Sequence, residues 1–240
     1  MYGKNVITKK IGIERPLDVQ EIFYTIQGEG PFSGRAALFC RLAYCNLRCV
    51  WCDTEFSSPK VTMTPQQLGR DLVMKAKRED CDLVVITGGE PMLWNLLPVI
   101  DALDNEGITT QIETNGTLWV EGLDVLMTIA DVAIVVSPKT PNVHPMITRY
   151  APFWKYVIPG RGIDPEDGLP IVSTQSEDAK EAHLARPPKG AIVFIQPCDY
   201  PLHIDPKGTL KQAAINNVVA ITKKHKYLAQ VQTHKVLGVE

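Results

Sequence analysis

Ala36-Ala-Leu-Phe-Cys-Arg-Leu-Ala-Tyr-Cys45-Asn-Leu-Arg-Cys49-Val-Trp-Cys52 joins an apolar, strand-like run to a loop with a Cys-x3-Cys-x2-Cys spacing. Three thiolates packed this closely can ligate three corners of a four-iron cluster and leave the fourth iron open to a substrate or cofactor. Structural zinc prefers four protein ligands, usually in paired sets. No second pair follows here. Cys81 and Cys198 stand alone, and Cys40 lies inside the strand-like run, where a small apolar thiol packs. The spacing favours an iron-sulfur site over zinc, with Cys45, Cys49 and Cys52 as candidate ligands.

Beyond the cysteine loop, strand-like and helix-like segments alternate. Thr64-Pro65-Gln66-Gln67 reads as a helix start, with Thr64 as cap, Pro65 in the first turn and Gln67 completing a capping box, and the helix should run to about Arg78. The pattern then predicts strands over 82–87, 109–113, 132–136, 154–158, 191–196 and 228–232. It predicts helices over 92–105, with Gly107 as the stop, and over 120–129, 176–185 and 210–223. Near-continuous apolar strands separated by helices imply a parallel sheet covered by helices. Counting from Ala36 gives about seven strands, which predicts one α/β domain built as a partial, open TIM-like β/α barrel rather than a closed eight-unit one.

The polar residues fall in a pattern of their own. Thr87-Gly88-Gly89-Glu90-Pro91, Glu113-Thr114-Asn115-Gly116, Ser137-Pro138-Lys139, Gln196-Pro197-Cys198-Asp199 and Gln232-Thr233-His234-Lys235 each follow an expected strand. Parallel α/β folds gather their active sites at that edge. Any one cluster is explained as a turn. Five at one edge, with the cysteine loop leaving the first strand, outline a site.

A chain of 240 residues, 45% hydrophobic, can bury a core without disulfides. The formal net charge of -2 gives no broad attraction to nucleic acid. No apolar run reaches membrane-spanning length, and residues 1–15 lack the apolar centre of a signal peptide. Six unpaired-looking cysteines, three of them crowded together, suit a reducing cytoplasm.

The cysteine spacing, with Trp51 just before the last cysteine, resembles the signature of the radical S-adenosylmethionine (SAM) superfamily. There, SAM chelates the open iron of a [4Fe-4S] cluster, and its reductive cleavage yields a 5′-deoxyadenosyl radical. The resemblance implies SAM contacts from Trp51, Asp53, Gly89 and Glu90. Glu113 and Asn115 would reach the methionyl and ribose portions, and Ser137, Pro138, Lys139 and the run Gln196, Pro197, Cys198, Asp199 would complete the site. Independently, the two glycines of Gly88-Gly89 allow backbone to approach a ligand closely.

Within that superfamily, Tyr24-Thr-Ile-Gln27-Gly28-Glu29-Gly30, Arg41, Asp53-Thr54 and Gln232-Thr233-His234-Lys235 resemble the 7-carboxy-7-deazaguanine synthase family of the queuosine-type deazapurine pathway, from Ile22 to the C-terminus. This implies a lyase acting on 6-carboxy-5,6,7,8-tetrahydropterin, contracting the ring with loss of ammonia while SAM is regenerated. It implies Mg2+ beside the substrate carboxylate with Thr54 as its protein ligand, consistent with the oxygen preference of that hard cation. It also implies substrate contacts from Ile26, Gln27, Gly28, Arg41, Thr87 and His234. A role for the C-terminal carboxylate follows as well, although Glu240 stands where the family often has proline. Arg41 offers a guanidinium fork suited to a carboxylate, and strand alternation places it on the face of Ala37 and Phe39. A homodimer and a flavodoxin-like or ferredoxin reductant are further implications. Two rivals are a radical SAM activase acting on a partner polypeptide and a non-catalytic iron-sulfur electron carrier, which would need a fourth cysteine. His144, His183, His203 and His225 receive no role.

Overall fold

The computed structural model describes residues 7–8, 15–49, 52, 54–171, 184–199 and 205–239. Trp51, Asp53, Glu240 and nearly all of the helix expected over 176–185 lie outside them. The strands are β1 (Leu17–Ile26), β2 (Ala36–Leu42), β3 (Val61–Met63), β4 (Leu83–Gly88), β5 (Thr109–Thr114), β6 (Val132–Val136), β7 (Phe153–Ile158), β8 (Ile192–Pro197) and β9 (Leu228–Ala229). The helices are α1 (Pro65–Arg78), α2 (Leu97–Asp104), α3 (Leu123–Leu126), α4 (Pro145–Tyr150), α5 (Thr209–His225) and α6 (Thr233–Leu237).

All nine strands form one sheet in the order β3-β1-β2-β4-β5-β6-β7-β8-β9. From β2 across to β9 every pairing is parallel, and these are the seven strands expected from Ala36 onward. Two strands outside that count extend the sheet at one edge, where β1 runs antiparallel to β2 and β3 antiparallel to β1. Among the described residues β3 and β9 do not pair, so the barrel stays open.

Each parallel strand divides its side chains between two faces. Leu38, Cys40, Leu42, Val84, Ile86, Ile134, Val136, Trp154, Tyr156 and Ile195 point outward under the helices and form the main core. Inside, a small apolar plug of Ala37, Phe39, Leu83 and Val85, flanked by Phe23 and Phe32, fills the lower part of the barrel. Above the plug the inward residues turn polar.

The predicted start of α1 holds in detail. Thr64 Oγ1 accepts from the Gln67 amide at 3.2 Å while the Gln67 side chain accepts from the Thr64 amide at 2.9 Å. Gly69 lets α1 pack on α2, since a Cβ there would lie 2.8 Å from that of Ala102. The single helix expected over 92–105 is two pieces, a 3-10 turn at Pro91–Leu93 and then α2 with Pro98 in its first turn. Proline lacks the amide that a helix interior requires, so the helix can begin but not pass there. The helix expected over 120–129 has its α-helical part at Leu123–Leu126 only. The last expected strand, 228–232, pairs only at Leu228–Ala229, after which the chain turns into α6.

Candidate active site

A cavity of about 860 Å³ opens at the C-terminal ends of the parallel strands. Cys45, Cys49 and Cys52 line it together with Thr54, Thr87, Gly88 and Gly89. Glu113, Asn115, Ser137, Lys139 and the run Gln196 to Asp199 also line it, as do Ile26, Gln27, Arg41 and His234. Cys40 and Cys81 are buried elsewhere, in the main core. Residues gathered from every part of the sequence thus share one cavity, and the five polar clusters meet at one edge as expected.

Local backbone geometry brings the cysteine loop against the next strand end. Tyr44 adopts a left-handed conformation, with φ of 65°, at the exit of β2. Its amide donates to the Phe56 carbonyl at 2.7 Å, its carbonyl accepts from the Glu90 amide at 2.8 Å, and its ring stacks on Trp94. These contacts hold a conformation that a non-glycine residue does not favour. Gly89 packs so closely on this turn that a Cβ would come 1.7 Å from the Tyr44 carbonyl oxygen. Gly88, with φ of 113°, would place a Cβ 2.3 Å from the Leu42 carbonyl oxygen. No other residue fits either position without moving the cysteine loop.

Glu90 lies behind the turn, fully buried and off the cavity wall. Its carboxylate accepts from the Thr114 hydroxyl at 2.7 Å and from the amides of Asn115 and Met92 at 2.8 and 3.0 Å. Burial pushes its pKa up against those hydrogen bonds. It ties the Gly88-Gly89 turn to the end of β5. Asn115 donates to Cys45 Sγ at 3.9 Å and to Asn46 at 2.9 Å, so the β5 end supports the cysteine loop as well.

The chemistry of the cysteine set suits an iron-sulfur cluster. All three cysteines line the cavity, and the Leu47 amide donates to Cys45 Sγ at 3.4 Å, a hydrogen bond of the kind that tunes such sites. Burial, with the Glu90 carboxylate nearby, pushes the Cys45 thiol up to about 12.

The floor of the cavity holds a charged network. Glu29 is buried and accepts hydrogen bonds from Lys155, from Gln196 at 2.7 Å and from Gln232 at 2.8 Å. Burial alone would raise its pKa, yet the Lys155 ammonium and the hydrogen bonds from Lys155 and the two amides outweigh it and hold the carboxyl at about 2. Lys155 also lies 3.9 Å from Glu113, which accepts from Gln27 and Gln111, each at 3.0 Å, and from Thr87 at 3.3 Å. Lys139 donates to the Ser137 hydroxyl at 2.5 Å, and burial lowers its pKa.

The two ends of the open sheet meet over this floor. Gln230 accepts from the Gly30 amide at 2.9 Å and donates to the Gly30 carbonyl at 2.7 Å, taking both backbone groups as a neighbouring strand would. Gly28 leaves room for His234 of α6, since a Cβ there would stand 2.3 Å from His234 Nδ1. Burial lowers the His234 pKa. Asp199 joins the β8 loop to both helices of this wall, pairing with Lys211 at 2.7 Å and Lys235 at 3.3 Å.

Sequence reading assigned no role to Glu29, Lys155, Glu21, Gln111 or Gln230. Glu29 belongs to the Gly28-Glu29-Gly30 turn, where a carboxylate reads as solvated. Lys155 carried a signal, because a lysine between Trp154 and Tyr156 on an apolar strand must find a buried partner. Pro138, expected at the SAM site, lies off the cavity wall while its neighbours Ser137 and Lys139 line it.

An open β/α barrel with three closely spaced cysteines at its mouth and a glycine turn beneath them defines a radical SAM protein, and a model of the Radical SAM superfamily matches residues 41–158. The chain is 41% identical to the 7-carboxy-7-deazaguanine synthase of Rhodospirillum rubrum over 243 residues, covering 100% of both chains. It is 30% identical to the protein of the same name from Synechocystis sp., over 92% of each chain. The fold superposes on the crystal structure of QueE from Escherichia coli with a TM-score of 0.62 and 25% identity, covering 92% of this chain and 95% of that one. The chain belongs to the 7-carboxy-7-deazaguanine synthase family of radical SAM lyases.

Proposed function

We propose that the protein converts 6-carboxy-5,6,7,8-tetrahydropterin to 7-carboxy-7-deazaguanine with release of ammonia, using a [4Fe-4S] cluster held by Cys45, Cys49 and Cys52, together with SAM. The observation that carries the reading is one cavity lined at once by the three cysteines and by Gln27, Arg41 and Thr87. When bound, the cluster and SAM would supply the radical chemistry for hydrogen-atom abstraction. The protein's own residues bind, orient and exclude water.

Gly88 and Gly89 present backbone next to the cysteine loop, on the side where SAM would lie. Glu113 and Lys139 extend that side, with Lys139 supplying a positive charge toward a carboxylate. In the same cavity, Arg41 suits the substrate carboxylate, and Gln27 with its backbone neighbours offers donors and acceptors to a pterin edge. Glu29 and Lys155 form a rigid floor, because a buried pair satisfied by two amides has little freedom to rearrange. Thr54 lines the cavity beside Cys52, which supports it as the single protein ligand of a Mg2+ ion that takes its other oxygens from substrate and water. A homodimer in the cytoplasm reduced by a flavodoxin-like or ferredoxin partner completes the proposal. Among the described residues no helix is long and apolar enough to cross a membrane.

The test is anaerobic incubation of the reconstituted protein with the pterin and SAM. Ammonia and 7-carboxy-7-deazaguanine in equal amounts, without net SAM consumption, are expected. SAM cleavage with no pterin turnover would sink the substrate assignment. Thr54→Ala should lower turnover and its Mg2+ dependence while SAM affinity and iron content hold. An unchanged Mg2+ response would remove Thr54 from the metal site.

A further inference from the structure

Arg41 enters the cavity already engaged. Its NH1 pairs with Glu21 Oε1 at 2.5 Å, and its guanidinium lies over the Phe23 ring at 4.7 Å from the centroid. Glu21 and Arg41 stand directly opposite each other on antiparallel β1 and β2. The register of β1 slips between Val19 and Glu21, so Gln20 is an extra residue in the ladder. Consecutive strand residues normally point to opposite faces. Here Gln20 and Glu21 both line the cavity, which is the re-aiming of a side chain that a bulge beside an active site provides.

We infer that Glu21 is a positioning residue that holds Arg41 ready for the carboxylate of the substrate. The inference rests on the proposed function and deepens it. The pair occupies one terminal nitrogen of a five-donor fork and, with the Phe23 face, sets the plane of the guanidinium, leaving Nε and NH2 for a second acceptor. An unheld arginine must surrender its rotamer freedom when the ligand binds, whereas here that loss is taken on folding. The opposing effect is repulsion between Glu21 and a ligand carboxylate on the far edge of the same guanidinium. Both partners are about one-third exposed, at 34% and 31%, so water screens that repulsion, and the ordering effect wins.

The experiment measures binding of two pterins by the SAM-loaded, cluster-containing protein, one bearing the carboxylate and one with a carboxamide in its place. Glu21→Ala is expected to weaken the carboxylated pterin about tenfold while binding of the carboxamide, SAM affinity and iron content stay within twofold. Glu21→Gln keeps shape and an acceptor oxygen, and should fall between the parent and Glu21→Ala. Combining Glu21→Ala with Arg41→Ala should be no worse than Arg41→Ala alone. Equal losses for both pterins in Glu21→Gln, or unchanged or tighter binding of the carboxylated one, would overturn the role. A parent protein that binds neither pterin would overturn the proposed function, and the positioning role with it.

Discussion

The two faces of the same strands have opposite chemistry. Outward, β4, β6 and β7 contribute Val84, Ile86, Ile134, Val136, Trp154 and Tyr156 to a continuous apolar core. Inward, a plug of four buried residues ends a layer or two up the barrel, and above it β5, β7 and β8 contribute Glu113, Lys155 and Gln196. The outer face carries the stability of the fold, and the inner face is released from that task. An ion pair such as Glu29 with Lys155 would be a poor choice for stability, because desolvation consumes most of its attraction. It is tolerated where the helices outside already hold the sheet together.

The sharpest break of this comparison is at the cysteines. Cys45→Ala, Cys49→Ala or Cys52→Ala should each abolish turnover and lose cluster iron, whereas Cys40→Ala on the outer face, Cys81→Ala and Cys198→Ala should retain it. Iron and sulfide analysis after anaerobic reconstitution decides this, and iron loss in Cys40→Ala would blur the division between the faces. Next in size is Glu29→Gln, which leaves the buried Lys155 ammonium without its closest counter-charge and is expected to cost about 3–5 kcal/mol in denaturant unfolding. It should also lower turnover of the molecules that remain folded.

Ile86→Val on the outer face should cost about 0.5–1.5 kcal/mol by removing one methylene from the core. Turnover per folded molecule should be unchanged, and a fall in that rate would show the faces to be coupled. The Glu29 carboxylate also has an effect in acid. Lys155 and the amides hold the Glu29 carboxyl at about 2 against its ordinary value of 4.5, so its contribution is complete above about 4.5 and fades as pH falls toward 2. Acid unfolding of Glu29→Gln, followed by circular dichroism, should therefore show a shallower loss of stability across that window than the parent.

Much of the outer face was legible in the sequence, because apolar strands and a capping box are local signals. The site was legible as five polar clusters and a cysteine loop, since the parallel topology brings strand ends together whatever their distance in sequence. β1 was hidden. Its bulge puts Gln20 and Glu21 side by side in Leu17–Ile26 and spoils the alternation that marks a strand. The split of the helix over 92–105 is signalled by Pro98, which sits inside an apolar, helix-like run and there opens α2. The early end of β9, predicted to run to 232, had no local signal, because beyond Ala229 the Gln230 side chain reaches Gly30 instead.

That reach has a consequence in time. Gly30 and Gln230 are separated by 200 positions, and on a ribosome adding about 5–20 residues per second roughly ten to forty seconds pass between their synthesis. During that interval the three cysteines have been made and the wall carrying Gln230, Gln232 and His234 has not. A nascent chain arrested before β9 should accordingly accept iron while failing to retain the pterin. Birth order thus separates two parts of the cavity lining: the cysteine loop is made early, and Gln232 and His234, which share the cavity with it, come only at the end.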